Sequence, residues 1–269
     1  MPKITDKDYY LPVIVALAKI KDFDTGTTEP ILVRGVNNKT YQKEDYVVKF
    51  KKGPRMHDNS CCFELIASFI AMELEINVAE PAIIDIQLDF VNTLDGKSKI
   101  NAHKSLGINY GSKYVEGYSG LLKDQKLSPG QYARAAQIFS FDVFISNIDR
   151  RAVKPNMISD GENILLFDHE LAFSFIYLII KNPTPWKLMA TDITWIKDHY
   201  FYSILNGKEQ DFDNFIDKLS TLDEYFWDKL YQLIPDEWRG DHITQIKNNL
   251  SLFIQNKTEF KEELKRILS

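Results

Sequence analysis

The chain has 269 residues, 44% hydrophobic and 13% aromatic, enough to enclose a sizeable core in one large domain or two lobes. Its 33 Lys and Arg stand against 38 Asp and Glu, a net charge of −5, so no overall positive field draws it to a nucleic acid backbone and direct DNA binding is disfavoured. The two cysteines, Cys61 and Cys62, are neighbours that make neither an unstrained disulfide nor a four-ligand zinc site, and reduced thiols fit a cytoplasmic protein.

The early apolar run at residues 11–18 contains Pro12 and follows a polar start, without the basic opening or small-residue cleavage pattern of a signal peptide. Residues 13–20, "ILVRGV" from Ile31 and "DYVVKF" from Asp45 read as strands of a meander, the first two separated by the turn-rich "DFDTGTTEP". Over residues 58–75 the period changes. Phe63, Ile66, Ala67, Ile70, Ala71 and Leu74 fall on one helical face, with Asn59 or Ser60 as N-cap. "PAIID" from Pro81 and "INYGSKYVEG" from Ile108 read as further strands, with "DGK" at Asp95 as a turn between them. Residues 1–117 are therefore expected to form a β-rich lobe carrying one helix.

Residues 118–269 are expected to form a second, helical lobe. "SPGQYARAAQIFSFDVFIS" from Ser128 carries Tyr132, Ala135, Ala136, Phe139 and Val143 at helical spacing. "LAFSFIYLII" from Leu171 is ten residues long, well short of the roughly 20 that span a bilayer, and reads as buried core. No membrane association is expected. The later segments "EQDFDNFIDKLSTL", "LDEYFWDKLYQLIPDEW" and "HITQIKNNLSLFI" are amphipathic, which fits packing within the domain, with a protein partner at these helices as the alternative.

The chemistry concentrates in "SNIDRRAVKPNMISDGENILLFDHE", residues 146–170. Short apolar runs on either side of "DGEN" signal a hairpin. A three-residue loop at 161–163 puts Asn156 opposite Asp168. A two-residue turn at Asp160 and Gly161 offsets them by three positions. In the first register an amide oxygen and a carboxylate converge as ligands for a hard cation such as magnesium, which takes one or two carboxylates plus phosphate oxygens and water. Asp149, seven positions before Asn156, then stands where it can accept a hydroxyl proton. Equally, Asp and Asn are common loop residues.

Upstream, alternation in "YVVKF" sets Lys49 on the face opposite Val48 and Phe50, though Lys51 shares its parity. Glu64 lies near the start of the following helix, where it could hold the lysine or simply complement the helix dipole.

Lysine on a third strand, glutamate on the next helix, a change to helical structure, then Asp149, Asn156 and Asp168 is the order of the protein-kinase-like fold. On "YVVKF", "FELIASFIAMELEINVAEPAIIDI", "YGSKYVEG", "FDVFISNIDRRAVKPNMI" and "LLFDHELAF", the chain resembles the HipA-like kinases, in particular the compact bacterial group that is little more than a kinase domain. The resemblance implies an α+β, bilobal protein-kinase-like fold, with Mg2+ and ATP as cofactors and phosphoryl transfer to a serine or threonine hydroxyl. It assigns Lys49 to the α/β-phosphates, Glu64 to orienting that lysine, Asp149 as catalytic base, Asn156 and Asp168 to the metal, and Tyr114, Val115 and Glu116 to an adenine-binding hinge.

The sequence departs from the kinase pattern at several points. The phosphate-covering turn "DTGTTE" has one glycine, Gly26, so Thr27 and Thr28 hydroxyls would replace backbone N–H groups. Asn147 and Ile148 precede Asp149 where kinases have His-Arg, and "DHE" replaces Asp-Phe-Gly. Arg150, Arg151 and Lys154 read either as neutralising the transferred phosphate or as loop surface charges, and His169 as a packing or hydrogen-bonding group. Two rival functions share these residues: a kinase for a small molecule or lipid headgroup, and a non-catalytic nucleotide-binding module with a protein partner, as in a toxin–antitoxin-like pair.

Overall fold

The computed structural model describes residues 1–23 and 26–269. Asp24 and Thr25 of the "DTGTTE" turn lie outside the described residues. β1 (Val13–Asp22), β2 (Ile31–Asn37), β3 (Lys43–Lys49), β4 (Pro81–Ile86) and β5 (Gly107–Lys113) close into a barrel of order β1-β2-β3-β5-β4. The β1–β4 pair is parallel and the other neighbours are antiparallel. Alternation sends Ile14, Val33, Val48, Phe50 and Ile84 into the barrel interior. Gly111 permits a close crossing, since a Cβ there would stand 2.8 Å from the Val47 carbonyl oxygen.

Between β3 and β4 runs α1 (Ser60–Glu73), every residue of which is buried. The expected single apolar face underdescribes it: small and apolar residues line all sides, and the helix is enclosed. Between β4 and β5 the expected turn is replaced by two short helices, α2 (Leu88–Asn92) and α3 (Gly96–Lys104). Among the described residues the β-rich part thus carries three helices, not one. Phe90, Val91, Leu94 and Ala102 from this stretch join the barrel core, so burial at one end of the barrel selects helix where turn residues pointed to a bend. Asp95 is the N-cap of α3 and Gly96 has φ +50°, so the turn signal was real but marked a helix start.

Beyond β6 (Ser119–Gly120) comes α4 (Pro129–Phe144). Its start is fixed by a capping box between Ser128 and Gln131 and by Pro129 in the first turn. β7 (Met157–Ser159) and β8 (Ile164–Leu166) form a hairpin that β6 joins at the edge. The rest is helical: α5 (Ala190–Lys197), α6 (Tyr202–Leu205), α7 (Asp213–Lys218), α8 (Glu224–Leu233), α9 (Asp241–Gln255) and α10 (Lys257–Leu268). Phe226 and Leu230 of α8, Ile246 and Leu250 of α9, and Phe260 and Leu264 of α10 share one core with α1 and α4. The amphipathic stripes are spent on this packing.

"LAFSFIYLII" is not the buried core its composition indicates. Ala172 and Phe173 are buried, whereas Tyr177, Leu178, Ile179 and Ile180 are at least half exposed. Phe173 adopts a left-handed backbone, φ +58°, and donates its N–H to the Ile145 carbonyl at 2.7 Å. That anchored bend ends the buried run after two residues. Among the described residues no helix is long and apolar enough to cross a membrane.

Candidate active site

Lys49 is the last residue of β3. With Val48 and Phe50 inside the barrel, its side chain leaves on the other face, where it stays 8% exposed. Its ammonium meets three carboxylates: Glu64 of α1, Asp168 just after β8, and Glu170 at 2.9 Å. Glu64 is fully buried, and its second oxygen accepts the His169 N–H at 2.8 Å. Desolvation opposes the lysine's charge, but the three acids more than offset it and hold its pKa well above the ordinary value. One ammonium cannot neutralise three acids. Burial pushes Glu64 up to about 7 and also raises Glu170, while Asp168, despite burial, is held far below the usual range by Lys49 and Lys154.

Of the two candidate lysines, Lys49 is the one that meets Glu64 and Asp168. β3 ends there, and a turn closed by Gly53 N–H to the Phe50 carbonyl breaks the alternation. Lys51 points elsewhere, pairing with Glu237 at 3.3 Å.

The loop after α4 supplies the second group. Asp149 is 6% exposed, with one oxygen 2.8 Å from Lys154 Nζ and the other 3.0 Å from Arg151. Lys154 also reaches Asp168 at 3.1 Å and so bridges the two acids. The Asn156 amide nitrogen lies 3.3 Å from Asp149 Oδ2, which leaves its oxygen for another donor or a cation.

Neither expected hairpin register occurs. Met157 pairs with Leu166 and Ser159 with Ile164, giving a four-residue loop at 160–163 in which Asp160 Oδ1 accepts the N–H groups of Glu162 and Asn163. This Asx-type loop uses one residue more than the three-residue form. Asn156 therefore faces Phe167, whose N–H it accepts at 3.3 Å, and Asp168 lies one position further on. Asn156 and Asp168 both have left-handed backbone, φ +49° and +64°, so neither side chain follows strand alternation.

The donors fit a hard cation. Glu64, Asp168 and Glu170 each offer an oxygen within 4.8 Å of the others, a donor set of the kind hard divalent cations take. An ion here would have to take Asp168 from Lys49. Two surface cavities, of about 930 Å³ beside Lys261 and Leu268 and about 480 Å³ beside Tyr9 and Glu80, are lined by none of these groups.

The sequence matches the family model of the HipA-like kinases over residues 17–267. The chain belongs to the HipA-like kinase family. Its fold is similar to the crystal structure of a Helicobacter pylori proinflammatory kinase, CtkA, at TM-score 0.51 and 14% identity, covering 93% of this chain and 96% of that one. This likeness shows a kinase-like fold of mixed α and β structure. A fainter likeness, at TM-score 0.33 and 12% identity over 92% of this chain and 65% of the other, is to the Neurospora crassa complex of PAN2 (WD40-CS1) with PAN3 (pseudokinase and C-term). No curated protein matches the sequence.

Residues 114–116 follow β5. The Tyr114 N–H is already spent on the Asp45 carbonyl at 2.8 Å, Val115 is half-buried and Glu116 exposed.

Two residues of the site escaped the sequence. Glu170 takes the position of the kinase glycine and contacts the lysine directly; the departure "DHE" was visible, but nothing in the spacing tied its last acid to Lys49. Arg150 is neither a phosphate neutraliser nor a surface charge, because its side chain is fully buried. It donates to Asp142 Oδ2 at 2.5 Å, to the carbonyls of Asn156, Pro155 and Phe167, and to His169 Nε2 at 2.9 Å. Since arginine only donates, His169 Nε2 accepts and its proton sits on Nδ1. Burial, and then Arg150, lower the His169 pKa to about 3, so the ring is neutral.

Proposed function

We propose that this chain is an ATP- and Mg2+-dependent phosphotransferase that moves the γ-phosphate to a serine or threonine hydroxyl of a protein. The observation that carries the reading is the meeting of Lys49 and Glu64, from the first half of the chain, with Asp168 from the second, which Lys154 joins to Asp149. We read these halves as the two lobes of a kinase, residues 1–117 and 118–269, with Val115, Glu116 and the Tyr114 carbonyl as the hinge facing adenine.

Each side chain has a role that its surroundings support. Lys49, kept charged by its acids, neutralises the α/β-phosphates, and Glu64 fixes its direction. Asp149 accepts the acceptor's proton as the hydroxyl oxygen bonds to the γ-phosphorus and the bond to the departing ADP oxygen breaks. Lys154, between Asp149 and Asp168, is placed to follow charge onto the transferred phosphoryl group. Asn156 and Asp168 would hold the divalent cation, which supplies charge neutralisation of the phosphates.

Glu170 and Lys154 favour a second reading, a nucleotide-binding module without turnover. Lys49 is claimed by three acids and both oxygens of Asp149 are engaged by cations. Such a module would work through a protein partner, for which Tyr225 and Tyr231 of α8 offer exposed aromatic surface. The same fold also accommodates a small-molecule or lipid-headgroup acceptor.

Incubation with γ-labelled ATP and Mg2+ separates these. Label on the chain or on a protein substrate, lost in Asp149→Ala and Asp168→Ala, is the expected result. Nucleotide-dependent stabilisation without turnover supports the binding module. Turnover that appears only with added metabolites or lipids identifies the alternative acceptor.

A further inference from the structure

Among the described residues Arg150 is the largest side chain that is fully buried, and the reaction as proposed gives it no role. Its guanidinium is the hub of a polar cluster inside the helical part. Asp142 of α4 receives Arg150 Nε at 2.5 Å, Asn147 Nδ2 at 2.7 Å and His199 Nε2 at 3.0 Å. On the other side, Arg150 Nη1 donates to the carbonyls of Asn156 at 2.7 Å, Pro155 at 3.3 Å and Phe167 at 3.5 Å, while Nη2 donates to His169 Nε2 at 2.9 Å.

These acceptors bracket the residues assigned to the cation. Asn156 is held by its own carbonyl. Asp168 is held from both sides, through the carbonyl of Phe167 before it and the ring of His169 after it. Both residues have left-handed backbone, a conformation that costs a non-glycine residue free energy and persists only where the surroundings fix it. The guanidinium fork provides that fixing, and a lysine, with one nitrogen, cannot reach the same set.

We propose that Arg150 is a positioning residue: anchored on Asp142, it clamps the backbone at Asn156 and on both sides of Asp168, and so sets the spacing of the two metal-binding side chains. The inference rests on the kinase reading of the site. It also gives "DHE" a function, because His169 receives the clamp where the usual phenylalanine could not.

The test uses the full chain and a non-hydrolysable ATP analogue titrated by calorimetry at a series of Mg2+ concentrations, with turnover measured in parallel. In Arg150→Lys, half-saturation by Mg2+ is expected to rise by roughly 10-fold or more, the usual scale for losing a partner that orients a metal ligand. Turnover at saturating Mg2+ falls with it, while metal-free nucleotide affinity stays within about twofold. His169→Leu, which leaves the Asp142–Arg150 pair intact, is expected to show the same split at smaller size, and it carries the test if Arg150→Lys does not fold. A folded variant with unchanged Mg2+ half-saturation overturns the proposal, as does an equal loss of metal-dependent and metal-free binding. If the wild-type chain itself binds no nucleotide with Mg2+, the kinase reading fails instead.

Discussion

Glu170 lies 2.9 Å from Lys49 Nζ, in the position where a kinase ordinarily has glycine. The contact is nearly buried on both sides, and it sets a third acid against an ammonium already paired with Glu64 and Asp168. A triphosphate bound as proposed would have to displace part of this negative charge. Glu170→Gln keeps a hydrogen-bond acceptor and removes the charge, so nucleotide affinity is expected to rise by about threefold to tenfold, which is about 0.7 to 1.4 kcal/mol. Calorimetry with an ATP analogue reads it. An affinity that falls would mean that Glu170 steadies Lys49 for the phosphate instead of competing with it.

Lys49 and Asp149 should separate stability from chemistry. Removing Lys49 leaves Glu64 and Glu170 without their cation in a buried site and Asp168 with Lys154 alone, and breaking a buried pair in this way costs about 3 kcal/mol or more. For a domain of this size that lowers Tm by on the order of 10 °C. Asp149→Asn keeps its shape and leaves Arg151 and Lys154, both partly exposed, to find water. Lys49→Met is therefore expected to lose both phosphotransfer and thermal stability, and Asp149→Asn to lose phosphotransfer with Tm little changed. Lys51→Ala, at a lysine paired with exposed Glu237, should alter neither. A Lys51 variant that lost nucleotide binding would reverse the assignment of the lysine.

Much of the molecule was legible in its sequence. Strands β1 to β5 follow alternation and turn residues, and α1 and α4 follow a clear helical period, because each element buries one face or all faces in a core its own residues announce. The candidate residues Lys49, Glu64, Asp149, Asn156 and Asp168 follow from their order along the chain and the family resemblance, and the structure joins the four charged ones in two ion-pair groups linked by Lys154, with Asn156 hydrogen-bonded to Asp149. What stayed hidden depends on side-chain contacts that periodicity does not register. The hairpin loop gained a residue because Asp160 closes an Asx turn. Arg150 read as either a phosphate neutraliser or a surface charge because its partners, Asp142 and His169, lie 8 and 19 residues away. α2 and α3 became helices because the open end of the barrel needed Phe90, Val91 and Leu94.

The segment "LAFSFIYLII" shows how composition alone misleads, and it yields a direct test. Phe173 is fully buried and packs edge-on against Phe63 at 5.6 Å, whereas Ile179 is completely exposed. Phe173→Ala should destabilise the protein by about 3 to 5 kcal/mol. Ile179→Ser, six positions on in the same apolar run, should leave Tm within about 2 °C of the parent. Thermal denaturation of the two variants decides it. Comparable losses at both positions would place the whole run in the core, as hydrophobicity by itself indicates.

The buried histidine on Asp142 makes stability depend on pH with a definite sign. His199 Nε2 lies 3.0 Å from Asp142 Oδ2, and its Nδ1 accepts the Phe201 N–H at 3.1 Å. Both ring nitrogens are thus satisfied in the neutral form, with the proton on Nε2. Protonating Nδ1 would turn it against the Phe201 N–H, in a site that already holds the Arg150 charge. Burial lowers the His199 pKa, Asp142 opposes the shift and Arg150 reinforces it. The folded pKa therefore lies below the unfolded value of about 6.5. Above pH 6.5 neither state is protonated and the full stability is present. Below it the unfolded chain takes up a proton the folded chain refuses, and stability falls. Glu64, raised by burial, works in the opposite sense as pH changes between its unfolded value and about 7, so the comparison has to be with a variant. His199→Gln is expected to lose less stability than the parent between pH 6.5 and 5, with the gap growing by at most about 1.4 kcal/mol per pH unit. Urea unfolding of both proteins across that range measures the gap. Parallel curves would show that His199 titrates alike in the folded and unfolded chains.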